Sequence, residues 1–246
     1  MIQKREHNNV GLITSLLLFT IANSLAQDVA PGPPRKPIRM YASILAPVYA
    51  YDPGTCGNVK TAFSFNLGLK KTITVFNSDF DIGLEYVNQS LTLDSYFFAN
   101  GYSVIYDKNF LFEHDLNINE LELPILFRKT FGKETRSKVT TYLNIGWALR
   151  YFAYSSTSIQ DLNTGIQVYE GKTNIKFEYP FISDRLGNLY QAALGMQFNN
   201  IRTRKALFIE MSFKLALSRI EYTGINNSND LLIRDCSINF TIGKKL

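Results

Sequence analysis

The feature that most narrows what this chain can become is a strict period of two in which the apolar face is long and almost unbroken. Phe63, Phe65, Leu67 and Leu69 alternate with Ser64, Asn66, Gly68 and Lys70. Phe80, Ile82, Leu84 and Tyr86 alternate with Asp81, Gly83 and Glu85, and Leu121, Leu123, Ile125 and Phe127 with Glu120, Glu122, Pro124 and Arg128. The same alternation runs from Val139 to Arg150, from Tyr190 to Phe198, from Leu207 to Leu217 and from Ser237 to Gly243. A period of two puts successive side chains on opposite faces of a β-strand. The polar face is mostly Gly, Ala, Ser, Asn and Gln with isolated charges. A soluble β-sandwich, the alternative fold, would show water a face rich in Lys, Glu and Thr. A long apolar face backed by small polar residues is the pattern of a barrel with lipid outside and polar groups inside. Closure is required because an open sheet edge leaves backbone groups unpaired in hydrocarbon.

Seven such segments and an eighth from Arg39 to Tyr51, whose faces are ambiguous, predict an all-β, antiparallel, up-and-down transmembrane barrel of about eight strands. The connections alternate as well. Short ones fall near Asn77 and Ser78, at 132–137 and at 199–203, and longer ones at 94–115 and 152–188, with smaller ones at 52–59 and 220–230 on the same side. Short turns on one side and long loops on the other are the outer-membrane arrangement, with both termini on the periplasmic side. Cations gather at the short turns (Lys70, Lys71, Lys129, Lys133, Arg136, Lys138, Arg202, Arg204, Lys205) and carboxylates on the long side. The 152–188 connection is too long for a plain loop. It predicts an extra hairpin above the membrane, or a ten-stranded barrel as the alternative.

Residues 1–26 read as a secretory signal peptide, with Lys4 and Arg5 before an apolar run from Val10 to Ala22 and a Ser-x-Ala site ending at Ala26. That run is shorter than the ~20 residues of a spanning helix. Residues 27–37 are rich in Pro and charge and read as a flexible lead-in, leaving 38–246 as the barrel. The net charge of +5 is spread in ones and pairs, with no basic helix or stripe, so nucleic acid is not an expected partner. Outer-membrane lipid is. Cys56 and Cys236 stand far apart, without the spacing of a metal site, and an oxidising compartment would allow them to pair. First and last strands are neighbours in a closed barrel, which favours that bridge. Cys236 shares parity with lipid-facing Ile238, which works against it.

Parity sends Asp81, Glu85, Glu120, Glu122, Arg128, Arg150, Glu210 and Lys214 inward. An eight-stranded lumen is just wide enough to be filled by side chains, so these charges are expected to pair as a polar plug. The competing reading is a narrow path whose carboxylates favour cations. His114, beside Glu113 and Asp115 with Ser95 and Ser103 nearby in sequence, is the one residue around which a lipid-modifying site could be imagined. A solvated loop histidine is the plainer reading, and no catalytic constellation, metal site or cofactor motif is recognised. Pro124 lacks a ladder donor and is expected to mark a bulge near the periplasmic end.

The run Asn119-Glu120-Leu121-Glu122-Leu123-Pro124-Ile125-Leu126-Phe127-Arg128-Lys129 resembles a central strand of the PorT-like outer-membrane β-barrel family of Bacteroidetes, as do the Leu-Ala-Gln at the signal end and the closing Ile-Asn-Phe-Thr-Ile-Gly. The resemblance implies a barrel of about eight strands. Its founding member takes part in protein secretion, which makes another envelope or secretion protein the partner to look for. The expectation is a non-enzymatic membrane anchor or assembly partner in the cell outer membrane.

Overall fold

The computed structural model describes residues 38–51, 56–95, 112–132, 138–178, 183–199, 206–223 and 230–245. Residues 1–37, read above as a signal peptide and lead-in, lie outside them. Twelve strands form one sheet: β1 (Ile38–Tyr51), β2 (Cys56–Thr61), β3 (Ser64–Val75), β4 (Ser78–Ser95), β5 (Phe112–Phe131), β6 (Val139–Asp161), β7 (Gln167–Lys172), β8 (Asn174–Glu178), β9 (Leu186–Asn199), β10 (Ala206–Ala216), β11 (Arg219–Thr223) and β12 (Asp230–Lys245). Eight of them, β1-β3-β4-β5-β6-β9-β10-β12, make an antiparallel ring that closes where β12 pairs with β1. The ring has eight strands, not ten.

The register is staggered. From Ile242 it runs through Ala42, Leu67, Tyr86 and Leu121 to Tyr151, and in the other direction through Ile209 and Met196 to Thr141, ten residues away on β6. Such a stagger tilts the strands to the barrel axis, as closure of a sheet into a barrel requires. Allowing for it, Lys71, Lys129 and Lys244 come to one level near the short-turn end, each facing outward. The β3–β4 hairpin turns on Phe76 and Asn77, at φ 47° and 61°, the left-handed pair that a two-residue hairpin requires. Phe76 is almost wholly exposed, as befits an aromatic at the membrane edge.

Outward residues form an apolar belt that includes Ile44, Leu67, Leu84, Ile125, Ile145, Trp147, Leu194, Met211, Phe213 and Phe240, all well exposed. Inside, three aromatic rings lie over three glycines on the neighbouring strand: Tyr41 on Gly68, Tyr142 on Gly195 and Phe208 on Gly243. A Cβ at any of the three would come within 2.3 Å of the ring. Each glycine is therefore the slot that lets a large ring lie flat against the inner wall.

Beyond the belt the strands continue, and the character of the two faces exchanges. On β4 the outward residues change from Phe80, Ile82, Leu84 and Tyr86 to Asn88, Ser90 and Thr92, while the inward ones change from Asp81 and Glu85 to Leu91 and Leu93. On β5, Leu116 and Ile118 face in where Asn117 and Asn119 face out. This upper storey is walled by the tops of β4, β5 and β6 together with β2, β7, β8 and β11. Its apolar core holds Leu91, Leu93, Leu116, Ile118, Phe152, Ile175, Phe177, Ile220 and Tyr222. Water replaces lipid outside at this height, so the hydrophobic side must turn inward.

Several expectations need correction here. The long connections are shorter than they read, because β4 and β5 pair as far as Ser95 and Phe112, and β2 and β11 occupy parts of two others. The 152–188 stretch is a tall β6, a turn at 162–166 and β7–β8 returning beside β6 and β11. Pro124 makes no bulge near the periplasmic end. It sits in mid-barrel opposite Ala148, and the β5–β6 shift falls at Asn119/Glu120. Gly83 makes room for its ring, since a Cβ there would stand 3.1 Å from Pro124 Cγ. Cys236 carries no disulfide. It is opposite Val48 on β1, whereas Cys56 is opposite Ser95 on β4.

Candidate functional site

The site is the lumen, and strand parity builds it. Asp81, Glu85, Glu120, Glu122, Arg128, Arg150, Glu210 and Lys214 all face inward and are buried. They join three further charged residues that sequence reasoning missed, Arg39, Lys70 and Asp235. Lys70 had read as a turn cation. Its inward parity with Asn66 and Gly68 was the available signal, as the parity of Asp235 with Ser237 and Asn239 was for the carboxylate.

The charges fall into three layers. Nearest the short turns, Asp81 is gripped by Arg39, by Arg128 Nη1 at 3.2 Å and by the Thr72 hydroxyl at 2.6 Å. Across the lumen Lys70 Nζ donates to both oxygens of Glu210 at 2.9 Å. Asn144 Nδ2 ties the two halves, donating to Asp81 at 3.1 Å and to Glu210 at 3.3 Å. The aromatic slots serve this layer, because Arg128 stacks 3.7 Å over the Tyr142 ring and Lys70 Nζ lies 4.8 Å over Tyr41. Such cation–π contacts hold a desolvated cation where no further carboxylate fits.

In the middle layer Lys214 bridges Glu85, at 2.6 Å, and Glu122. Glu85 also accepts from Tyr41 Oη at 2.5 Å and from Asn66 Nδ2 at 3.0 Å. In the upper layer Arg150, with no solvent exposure, donates Nε and Nη2 to Glu120 at 2.8 Å each. It donates Nη1 and Nη2 to Asp235 at 2.9 and 2.8 Å. Two bidentate forks on one guanidinium use its planar geometry fully.

The apolar core of the upper storey begins directly above. Phe177 stacks on Phe152 with ring centroids 3.9 Å apart and lies over Arg150 at 5.3 Å. Gly187 leaves the space for it, as a Cβ there would meet the ring at 2.7 Å. The lumen is thus occupied by ion pairs through the membrane and by hydrocarbon above it. Among the described residues the three layers hold five cations and six carboxylates.

His114 is not a solvated loop residue. It lies on β5, faces the rim of the apolar core, is 7% exposed and places Nδ1 3.1 Å from Tyr222 Oη. Its sequence neighbours Glu113 and Asp115 are on the opposite face of the strand by parity, so the alternation disperses the acid and base that a triad would need together.

No protein-family model matches the chain, and no curated protein does. Among solved structures it is similar to the outer membrane protein OprG from Pseudomonas aeruginosa, at 13% identity over 87% of this chain and 96% of that one, with a TM-score of 0.49. It is also similar to Ail, the attachment invasion locus protein of Yersinia pestis, at 10% identity over 86% and 99%, TM-score 0.38. Neisserial surface protein A is similar at 8% identity over 85% and 97%, TM-score 0.38. A closed antiparallel ring of eight strands, apolar outside and ion-paired inside, is an outer-membrane β-barrel, and the outer membrane is where it resides.

Proposed function

We propose that this barrel is a closed, non-enzymatic anchor that holds an assembly partner at the outer membrane. The observation that carries the proposal is the double filling of the lumen, with three ion-paired layers under an apolar core. A solute path would have to break the Arg150 forks and part the Phe152–Phe177 stack. Buried ion pairs broken on one side cost several kcal/mol, on the order of 3–5, so the charges act as a fixed plug. What remains for function is the outer surface, the upper storey and the periplasmic turns. The resemblance of residues 119–129 to PorT-like barrels supports a partner in the envelope, with secretion machinery as its most specific form. The dispersal of His114, Glu113 and Asp115 supports a role without catalysis.

The second reading, a narrow cation-preferring channel, is favoured by one observation: the layers carry one more carboxylate than cation, so any ion drawn in would be a cation. Single-channel conductance of the refolded protein in planar bilayers separates the two, after heat-modifiable migration on a gel has established folding. A folded barrel with no steady current is the expected result. Steady cation-selective current would overturn the closed-anchor reading and make Glu120, Glu122 and Asp235 the residues to change.

A further inference from the structure

The two edges of the apolar belt carry different chemistry. Near the short-turn end the outward residues at the edge include Lys71, Lys129 and Lys244, brought to one level by the stagger of the ring. At the other edge, on β4, β5 and β6, the belt gives way to Asn88, Ser90, Asn117, Asn119, Ser156 and Ser158 on adjoining strands. None of these is charged. They form a preorganised plane: Asn88 Nδ2 donates to Asn117 at 3.0 Å and to Asn119 at 2.9 Å. Asn119 Nδ2 donates to Asn117 at 2.8 Å, and Asn117 Nδ2 to Ser90 Oγ at 3.1 Å. Tyr86 Oη donates to Asn119 from the belt side, and Tyr154 stands exposed on β6. Above the plane on β4–β5 come carboxylates, with Asp115 accepting from Thr92 Oγ1 at 2.6 Å. The cation nearest on β7, Lys172, is held over the Tyr154 ring at 5.9 Å.

We propose that this plane binds the uncharged sugar residues of a glycolipid in the outer leaflet. Height fixes where the ligand comes from, because a group lying just beyond the hydrocarbon belt meets the headgroup layer. Chemistry fixes its class. A phosphate headgroup only accepts hydrogen bonds and requires cations, as the lysine level at the opposite edge supplies. Sugar hydroxyls both donate and accept, and an asparagine amide offers two donors and two acceptor lone pairs. The internal bonds of the plane use only part of that capacity and hold the rest in place. Tyr86 and Tyr154 border it with amphipathic rings suited to the lipid–water boundary, Asp115 above it repels an anionic headgroup, and the exposed Lys60 on β2 is engaged by Asp94 at 3.3 Å and Glu113 at 3.5 Å. The inference depends on the seat of the barrel in the membrane and is independent of whether the lumen conducts.

Trp147, the single tryptophan of the chain, faces lipid on β6 seven residues before Tyr154, within reach of the acyl chains of a lipid whose headgroup binds the plane. The refolded full chain is placed in phosphatidylcholine nanodiscs doped with digalactosyl diacylglycerol or with phosphatidylglycerol, each carrying brominated acyl chains. Quenching of Trp147 is then compared at equal mole fraction. Severalfold stronger quenching by the galactolipid is expected, falling to the phosphatidylglycerol level in the Asn88→Ala/Asn117→Ala/Asn119→Ala variant. Equal quenching by the two lipids in the unmodified protein, or an unchanged preference in the variant, overturns the assignment. If the triple variant loses heat-modifiable migration, Asn119→Leu alone is read in the same way.

Discussion

At the scale of single residues, Arg150 has the most to lose. Its two forks neutralise Glu120 and Asp235 in a place without solvent, so Arg150→Met leaves two uncompensated carboxylates. A loss of about 3–5 kcal/mol is expected, measured as a lower urea midpoint for the heat-modifiable band. Replacing Glu120 and Asp235 by Gln and Asn in the same chain removes the stranded charges and recovers much of that loss. Recovery of nothing would mean that packing of the guanidinium, not its charge, holds the layer. The glycine slots make a second prediction at this scale. Gly195→Val drives Tyr142 off the wall and out from under Arg128, which costs roughly 1–3 kcal/mol in overpacking alone. Gly165, at φ +70° in an exposed turn with no ring against it, is expected to cost less than Gly195 when changed to Ala. Inward parity was legible at Arg150 and Gly195 from the alternation. The slots were not, because a glycine facing an aromatic on the next strand is a property of register, which single strands do not display.

At the scale of elements, the upper storey is a separate piece of design. β7 and β8 form one descending segment that pairs first with β6 and then with β11, and it delivers Ile175 and Phe177 inward. Phe152→Ala and Phe177→Ala each remove a stacked ring from a closed core, with an expected cost of about 3–5 kcal/mol confined to this storey. Hydrogen exchange should then rise in β8 and β11 while the ladders of β9 and β10 keep their protection. Equal loss in both would show that the two storeys unfold as one unit. The sequence pattern pointed to a hairpin in this stretch. It did not show that β4, β5 and β6 rise past the belt, because the faces of those strands exchange character there and an inverted pattern reads as loop. His114 is the consequence: a polar residue flanked by carboxylates looks solvated until the strand that carries it is seen to continue.

At the scale of the whole barrel, the described residues form a polar-cored wall in lipid topped by an apolar-cored wall in water. The ion pairs of the lower part are sealed from solvent by the wall, so ionic screening has little purchase on them. The stability of the folded barrel is expected to change little between about 0.05 and 1 M salt. A pair at the water-exposed wall such as Lys176 with Glu221 at 2.8 Å is open to screening and contributes little at any salt. A steep fall in stability with salt would mean that water and ions reach the lumen, and would favour the conducting reading.

Strand parity is local. It follows from the geometry of one extended chain, so the alternation by itself determined that this protein is a barrel, which residues meet lipid and which charges go inside. Pairing across the lumen is not local. Lys70 finds Glu210 and Arg150 finds Asp235 only because eight strands close with a stagger of ten residues. That stagger sets which side chains share a height, and it decides which layers neutralise each other. Where lipid ends is likewise a property of the assembled wall. Only the tertiary structure therefore decided that the lumen is filled, and that the outer edge of the belt is a plane of asparagines.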